Sequence, residues 1–260
     1  GVRFVDQEGT EAIFPVEATS DPLNCTGSRL AIVLVKSYHT ASAAERLASC
    51  LADDGLALTL QNGVGNLEIL TDILGTHRVI SGVTTLGATL TGPGAVRMGG
   101  VGDIKIGEHD KAKIPVEIFR RAGLDTEIVA DTSSLVWGKL VINASINPLT
   151  ALLNIRNGDL LKNSFALDLL ELITGESAGV AGGIGIELPY PEPYEMVVSV
   201  AHKTAENFSS MNIDMNRGRQ TEIDAINGAV VRMGEAAGVP INYNKMLWML
   251  VKARTEKLKN

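Results

Sequence analysis

The chain has 260 residues, of which 45% are hydrophobic, 20% charged and 4% aromatic, with a formal net charge of −7. This is the balance of a globular protein rich in small aliphatic residues, with room for one large domain or two ordinary ones. The acidity and the lack of a basic stripe exclude a nucleic-acid surface, and without a run of about eighteen apolar residues no membrane span is expected. Two cysteines, Cys25 and Cys50, form neither a CxxC nor a disulfide framework, so a reducing, cytoplasmic location is the default. His39, His77, His109 and His202 are scattered without ligand spacing, so no metal is expected.

Residues 2–18 alternate around Gly9 and predict a β-hairpin. RLAIVLVK at 29–36 is a continuous apolar run, the pattern of a strand buried on both faces of a parallel sheet, with Lys36 at the carboxyl end where open α/β sheets bind ligands. A helix is predicted over 41–52, then strand, turn and helix over LALTLQNGVGNLEIL. Gln61-Asn62-Gly63 falls at the strand end, and Gly63 and Gly65 let backbone approach a ligand, although an ordinary turn explains Asn62-Gly63 equally well. A βα unit is predicted from Arg78 to Ala88, hairpin material over 92–107, a helix over 111–122 and a strand over 126–130. Long helical patterns follow, so the expected boundary divides residues 1–130 from 131–260. The glycine clusters at 99–102 and 179–185 do not link a strand to a helix within a βαβ unit, so neither is a dinucleotide fingerprint.

In the second half, WGKLVINASINPLTALLNIRNG runs from Trp137 to Gly158. As a helix it places Lys139, Asn143 and Asn147 at i, i+4 and i+8 on one face, while Leu140, Val141, Ile142 and Ile146 form a core stripe. Pro148 disfavours α geometry at the residue before it, so the helix should end or kink there. An ammonium donor beside amides suits an oxygen-rich small anion such as a 2-keto acid carboxylate, and a partly desolvated lysine suits protonation of a developing alkoxide. The structural alternative is that the asparagines pair internally and Lys139 snorkels to water. Pro189, Pro191 and Pro193 interrupt the helical pattern once. From Asn207 to Val231 a polar stretch leads into Thr221-Glu222, expected to begin a helix, where Glu222 alone would be explained by capping and the helix dipole.

In order and spacing, LVKSY (34–38), QNGVGN (61–66), the Trp137–Gly158 segment and NFSSMNIDMNRGRQTEIDAING (207–228) resemble the ketopantoate reductase (2-dehydropantoate 2-reductase) family across essentially the whole chain. K-x3-N-x3-NPLTA and SSM…TEID…NG carry most of the specificity. The resemblance implies an α/β Rossmann-type domain, N-terminally incomplete here, followed by an all-α C-terminal domain, as in 6-phosphogluconate-dehydrogenase-like enzymes. The first would bind NADP and the second substrate and a dimer partner. It implies NADPH-dependent reduction of ketopantoate to pantoate in pantothenate and coenzyme A biosynthesis. By motif, Lys139 is implied as the general acid; Asn62, Lys139, Asn143, Asn147, Asn157 and Ser210 as substrate-binding residues; and Lys36, Asn62, Ala88 and Glu222 as lining the cofactor. The GxGxxG turn with which the family opens is not in this sequence, which is expected to be a truncated one. A reductase of a different 2-keto acid, or a non-catalytic binding or dimerisation paralogue, is the alternative.

Overall fold

The computed structural model describes residues 1–256. In chain order the strands are β1 (Val2–Val5), β2 (Glu11–Phe14), β3 (Ser28–Val33), β4 (Leu51–Thr59), β5 (Val79–Thr84), β6 (Gly87–Gly92), β7 (Ala95–Gly100), β8 (Ile104–Gly107) and β9 (Thr126–Val129). The helices are α1 (Thr40–Cys50), α2 (Asn66–Leu74), α3 (Lys113–Arg121), α4 (Ser133–Leu153), α5 (Ser164–Gly183), α6 (Pro193–Lys203), α7 (Ser210–Asn216), α8 (Asn227–Ala237) and α9 (Asn242–Thr255). Two compact units result. One holds Gly1–Val35, His39–Gln61 and Leu67–Thr132; the other holds Lys36–Tyr38, Asn62–Asn66 and the chain from Ser133 onward.

The first unit contains two sheets. A five-stranded sheet in the order β3-β4-β5-β8-β9 is parallel except where β5 meets β8. Strand β4 shows why it folds this way: Leu56, Leu58 and Leu60 pack with Val116 and Phe119 of α3, whereas Ala57 points to Ala44 of α1 and Leu70 of α2. Alternate residues thus feed two cores, one on each face, as a covered parallel sheet requires. A four-stranded sheet, β2-β1-β7-β6, contains the β1–β2 hairpin, whose turn uses Gly9 at φ +87°. Among the described residues strand β3 pairs with β4, with Val33 buried and Ile32, Leu34 and Val35 exposed. One expectation needs correction here. The stretch from Arg78 to Ala88 is not a βα unit, because β5 leads directly to β6. Thr84 and Thr85, poor helix formers, instead close a turn in which Leu86 N–H donates to Thr84 Oγ1.

The second unit is helical around α4. Helix α4 does not end at Pro148: it continues to Leu153 and stops where Asn154 enters the left-handed region at φ +55°. A proline removes the N–H that would bond the carbonyl four residues earlier. Asn227 repairs this, its Nδ2 donating to Ala144 O at 2.9 Å. Nor do Thr221 and Glu222 begin a helix. They lie in a turn, and α8 starts at Asn227. Ile223, Ile226 and Val230 are nonetheless buried, in one cluster with Trp137, Leu140 and Ala144 of α4.

Candidate active site

The helical periodicity of α4 sets Lys139, Asn143 and Asn147 one turn apart along one side. Lys139 is half-buried. Burial lowers its pKa from 10.5 to about 8, opposed by the attraction of the Glu222 carboxylate. The turn that carries it is held from behind: Tyr190 donates its hydroxyl to Gly138 O at 2.7 Å, and Pro189 packs where a Gly138 Cβ would stand, 2.7 Å from its Cγ. Asn143 is half-buried and Asn147 is buried.

One turn further, α4 is tied to the start of α7. Thr150 donates to Ser209 Oγ at 2.8 Å, and Ser209, the N-cap, accepts from Asn212 N–H at 3.1 Å. Capping thus occupies Ser209, and Ser210, the first helical residue, is exposed. Asn157 is buried. Its backbone N–H donates to Asn207 O at 2.9 Å, its Nδ2 donates to Thr204 Oγ1 at 2.9 Å, and its Oδ1 has no partner among the described residues. A buried acceptor left open in this way has the chemistry of a ligand contact.

Two short segments belong with this helical unit. Lys36 donates to Asp214 Oδ2 at 2.6 Å and to Glu222 Oε2 at 3.3 Å, and Ser37 N–H donates to Glu222 Oε1 at 2.9 Å. Both carboxylates are buried, Asp214 at 5% and Glu222 at 6% exposure. Desolvation lowers the Lys36 pKa, but the Asp214 hydrogen bond and the charges of both acids outweigh it, so the net shift is upward. Helix capping therefore does not account for Glu222. In the second segment Asn62 is half-buried in a turn whose Gly63, at φ +80°, packs on Ala225, with Val64 N–H donating to Ala225 O at 3.3 Å. A Cβ on Gly63 would lie 2.5 Å from that carbonyl, so only glycine fits.

The helical unit thus contains Lys36, Asn62, Lys139, Asn143, Asn147, Asn157, Ser210 and Glu222. Ala88 lies in the first unit, exposed on β6 opposite Met98. Sequence reasoning missed Asp214, although it lies four residues after Ser210 and so one helical turn along α7. It also missed Tyr190 and Asn227. Among the described residues no group of three or more His, Cys, Asp or Glu side chains is placed to hold a metal ion. Chemically, the arrangement offers a readily released proton at Lys139, amide donors and acceptors beside it, and two buried carboxylates bonded to a second ammonium.

Comparison with known proteins gives a consistent picture. A family model described as ketopantoate reductase PanE/ApbA matches residues 1–111, and the corresponding C-terminal model matches residues 131–255. The 2-dehydropantoate 2-reductase of Archaeoglobus fulgidus is 38% identical over 242 residues, 91% of this chain and 79% of that protein. A PanE/ApbA family ketopantoate reductase from Ralstonia eutropha JMP134 is similar in structure, with a TM-score of 0.91 at 31% identity, covering 98% of this chain and 85% of that one. D-mandelate dehydrogenase, solved with NADH and anilino(oxo)acetate, gives a TM-score of 0.87 at 26% identity, covering 98% of this chain and 85% of that one.

Proposed function

Because the chain belongs to the ketopantoate reductase family, we propose that it reduces 2-dehydropantoate (ketopantoate) to pantoate with NADPH, a cytoplasmic step toward pantothenate and coenzyme A. The observation that carries this reading is the desolvated Lys139 ammonium aligned with Asn143 and Asn147 on α4. Lys139 donates its proton to the substrate carbonyl oxygen as that oxygen becomes an alkoxide. Asn143 and Asn147 orient the keto acid, and the open Asn157 Oδ1 accepts from a substrate hydroxyl. Ser210, exposed at the start of α7, donates to the substrate carboxylate.

The donor set also suits a nicotinamide cofactor, which when bound supplies the hydride. Glu222 would accept from ribose hydroxyls and Lys36 and Asn62 would contribute donors, with Ala88 a further cofactor-lining residue by its motif. In this reading residues 1–130 serve the dinucleotide, and residues 131–260 serve the substrate and a homodimer contact. The similarity to D-mandelate dehydrogenase favours a second reading, NADH-dependent reduction of a different 2-keto acid.

Oxidation of NADPH and NADH against a panel of 2-keto acids separates the two. Turnover of ketopantoate with NADPH is the expected result. Turnover of another acid without ketopantoate overturns the substrate and keeps the reaction class, and no turnover with any acid leaves a binding protein.

A further inference from the structure

Asn157 is buried, at 8% exposure, and its side-chain amide is satisfied at one end only: Nδ2 is bonded, and Oδ1 has no partner among the described residues. Which end is left open decides what a ligand must bring. An open Oδ1 calls for a proton donor and an open Nδ2 for an acceptor, yet the two ends have nearly the same shape and exchange places when the amide turns over. A neighbour must choose between them.

The backbone brings that neighbour into place. Asn157 N–H donates to Asn207 O at 2.9 Å and Gly158 N–H to Ala205 O at 3.1 Å, so this turn is pinned to the turn that follows α6. The approach is close enough that a Cβ on Gly158 would stand 2.5 Å from Ala205 Cβ. The Asn157 amide then meets Thr204, the half-buried residue that ends α6. A threonine hydroxyl has one proton to give. Thr204 gives it to Val200 O, one helical turn back, at 2.8 Å, a bond that α6 sets without reference to Asn157. With that proton committed, Oγ1 can only accept, and it does so from Asn157 Nδ2 at 2.9 Å. Turning the amide over would set Oδ1 against a second acceptor, or cost the Val200 bond, and would leave both Nδ2 protons buried without partners. The hydroxyl thus selects one orientation.

We infer that Thr204 is a positioning residue that sets the polarity of the Asn157 contact: it engages Nδ2 and leaves Oδ1 open, so that the contact takes a substrate hydroxyl and discriminates against keto acids that have none. Ketopantoate carries such a hydroxyl, at the end remote from its carboxylate. The inference rests on the proposed reduction, in which Asn157 meets the substrate, but the orientation of the amide can be tested without substrate or cofactor.

The kinetic test compares ketopantoate with trimethylpyruvate, the same acid without the hydroxyl, using NADPH and three proteins: wild type, Thr204→Val and Thr204→Ser. Thr204→Val keeps the size of the side chain and loses the hydroxyl, while Val200 O keeps its backbone partner, Thr204 N–H at 3.0 Å. It should lower the preference in kcat/KM for ketopantoate over trimethylpyruvate roughly tenfold, chiefly through KM. Thr204→Ser should restore the wild-type preference. A merely structural role would affect both acids alike, so an unchanged preference in Thr204→Val overturns the inference, as does a serine variant that behaves like the valine one. In the cofactor-free protein, ¹⁵N NMR of the Asn157 side chain, assigned with Asn157→Asp, should show Nδ2 protons protected from exchange in wild type and Thr204→Ser and unprotected in Thr204→Val. Protection that survives in Thr204→Val overturns the inference whatever the kinetics. If Thr204→Val does not fold, Thr204→Ala is read by the same two measurements. A protein that reduces neither acid, but loses protection as stated, overturns the proposed reaction and leaves the Thr204–Asn157 linkage standing.

Discussion

Lys139 occupies a position that costs stability. Its folded pKa, about 8, lies below the ordinary 10.5, so between these values the unfolded chain holds a proton that the folded chain releases. Its contribution is therefore unfavourable and constant below about pH 8, and the penalty fades as pH rises toward 10.5. Lys139→Met should raise stability at neutral pH by on the order of 1–3 kcal/mol, with the gain shrinking toward pH 10. Denaturant melts of both proteins at two pH values measure it. Ser210 makes a different contribution. Its hydroxyl is proposed to bond the substrate carboxylate in ground and transition states alike, so Ser210→Ala should raise KM by about tenfold to a hundredfold and change kcat little, as steady-state kinetics would show.

At the scale of elements, α4 is one uninterrupted helix because other segments repair its weak points. The Ala144 carbonyl freed by Pro148 is bonded by Asn227, itself fully buried. Asn227→Ala removes that donor and should cost about 1–3 kcal/mol in chemical denaturation. Gly138→Ala forces a methyl to within 2.7 Å of Pro189. It should destabilise by about 1–3 kcal/mol and lower kcat, because the same turn carries Lys139.

Periodicity was enough to place Lys139, Asn143 and Asn147 on one helix, since that depends on local spacing. The continuation past Pro148 was hidden because its remedy comes from a residue 83 positions from Ala144. Taken alone, Glu222 had a sufficient explanation in capping, because a Thr-Glu pair before an apolar run has the right local chemistry, and only the family motif marked it as a cofactor-lining residue. Its actual partners, Lys36 and Ser37, lie 186 and 185 positions away. Asp214 was missed for the same reason: a buried carboxylate is recognisable only once its cation is in place.

At the scale of the whole molecule, chain order and spatial grouping diverge. Lys36–Tyr38 and Asn62–Asn66 are embedded in sequence among the strands of the first unit, yet they pack with the helices. Lys36 therefore meets Asp214 and Glu222, and Asn62 sits in the turn that rests on Ala225. The helical unit thus brings together the proposed proton donor, the proposed keto acid contacts and the buried carboxylates. In the proposed reaction this grouping turns on the proton of Lys139. The most direct measurement is kcat of Lys139→Ala with NADPH and ketopantoate, alongside the dissociation constant for NADPH. A loss of about 10²–10⁴-fold in kcat with cofactor affinity preserved is predicted for a general acid, whereas a variant that retains nearly full turnover contradicts the assignment.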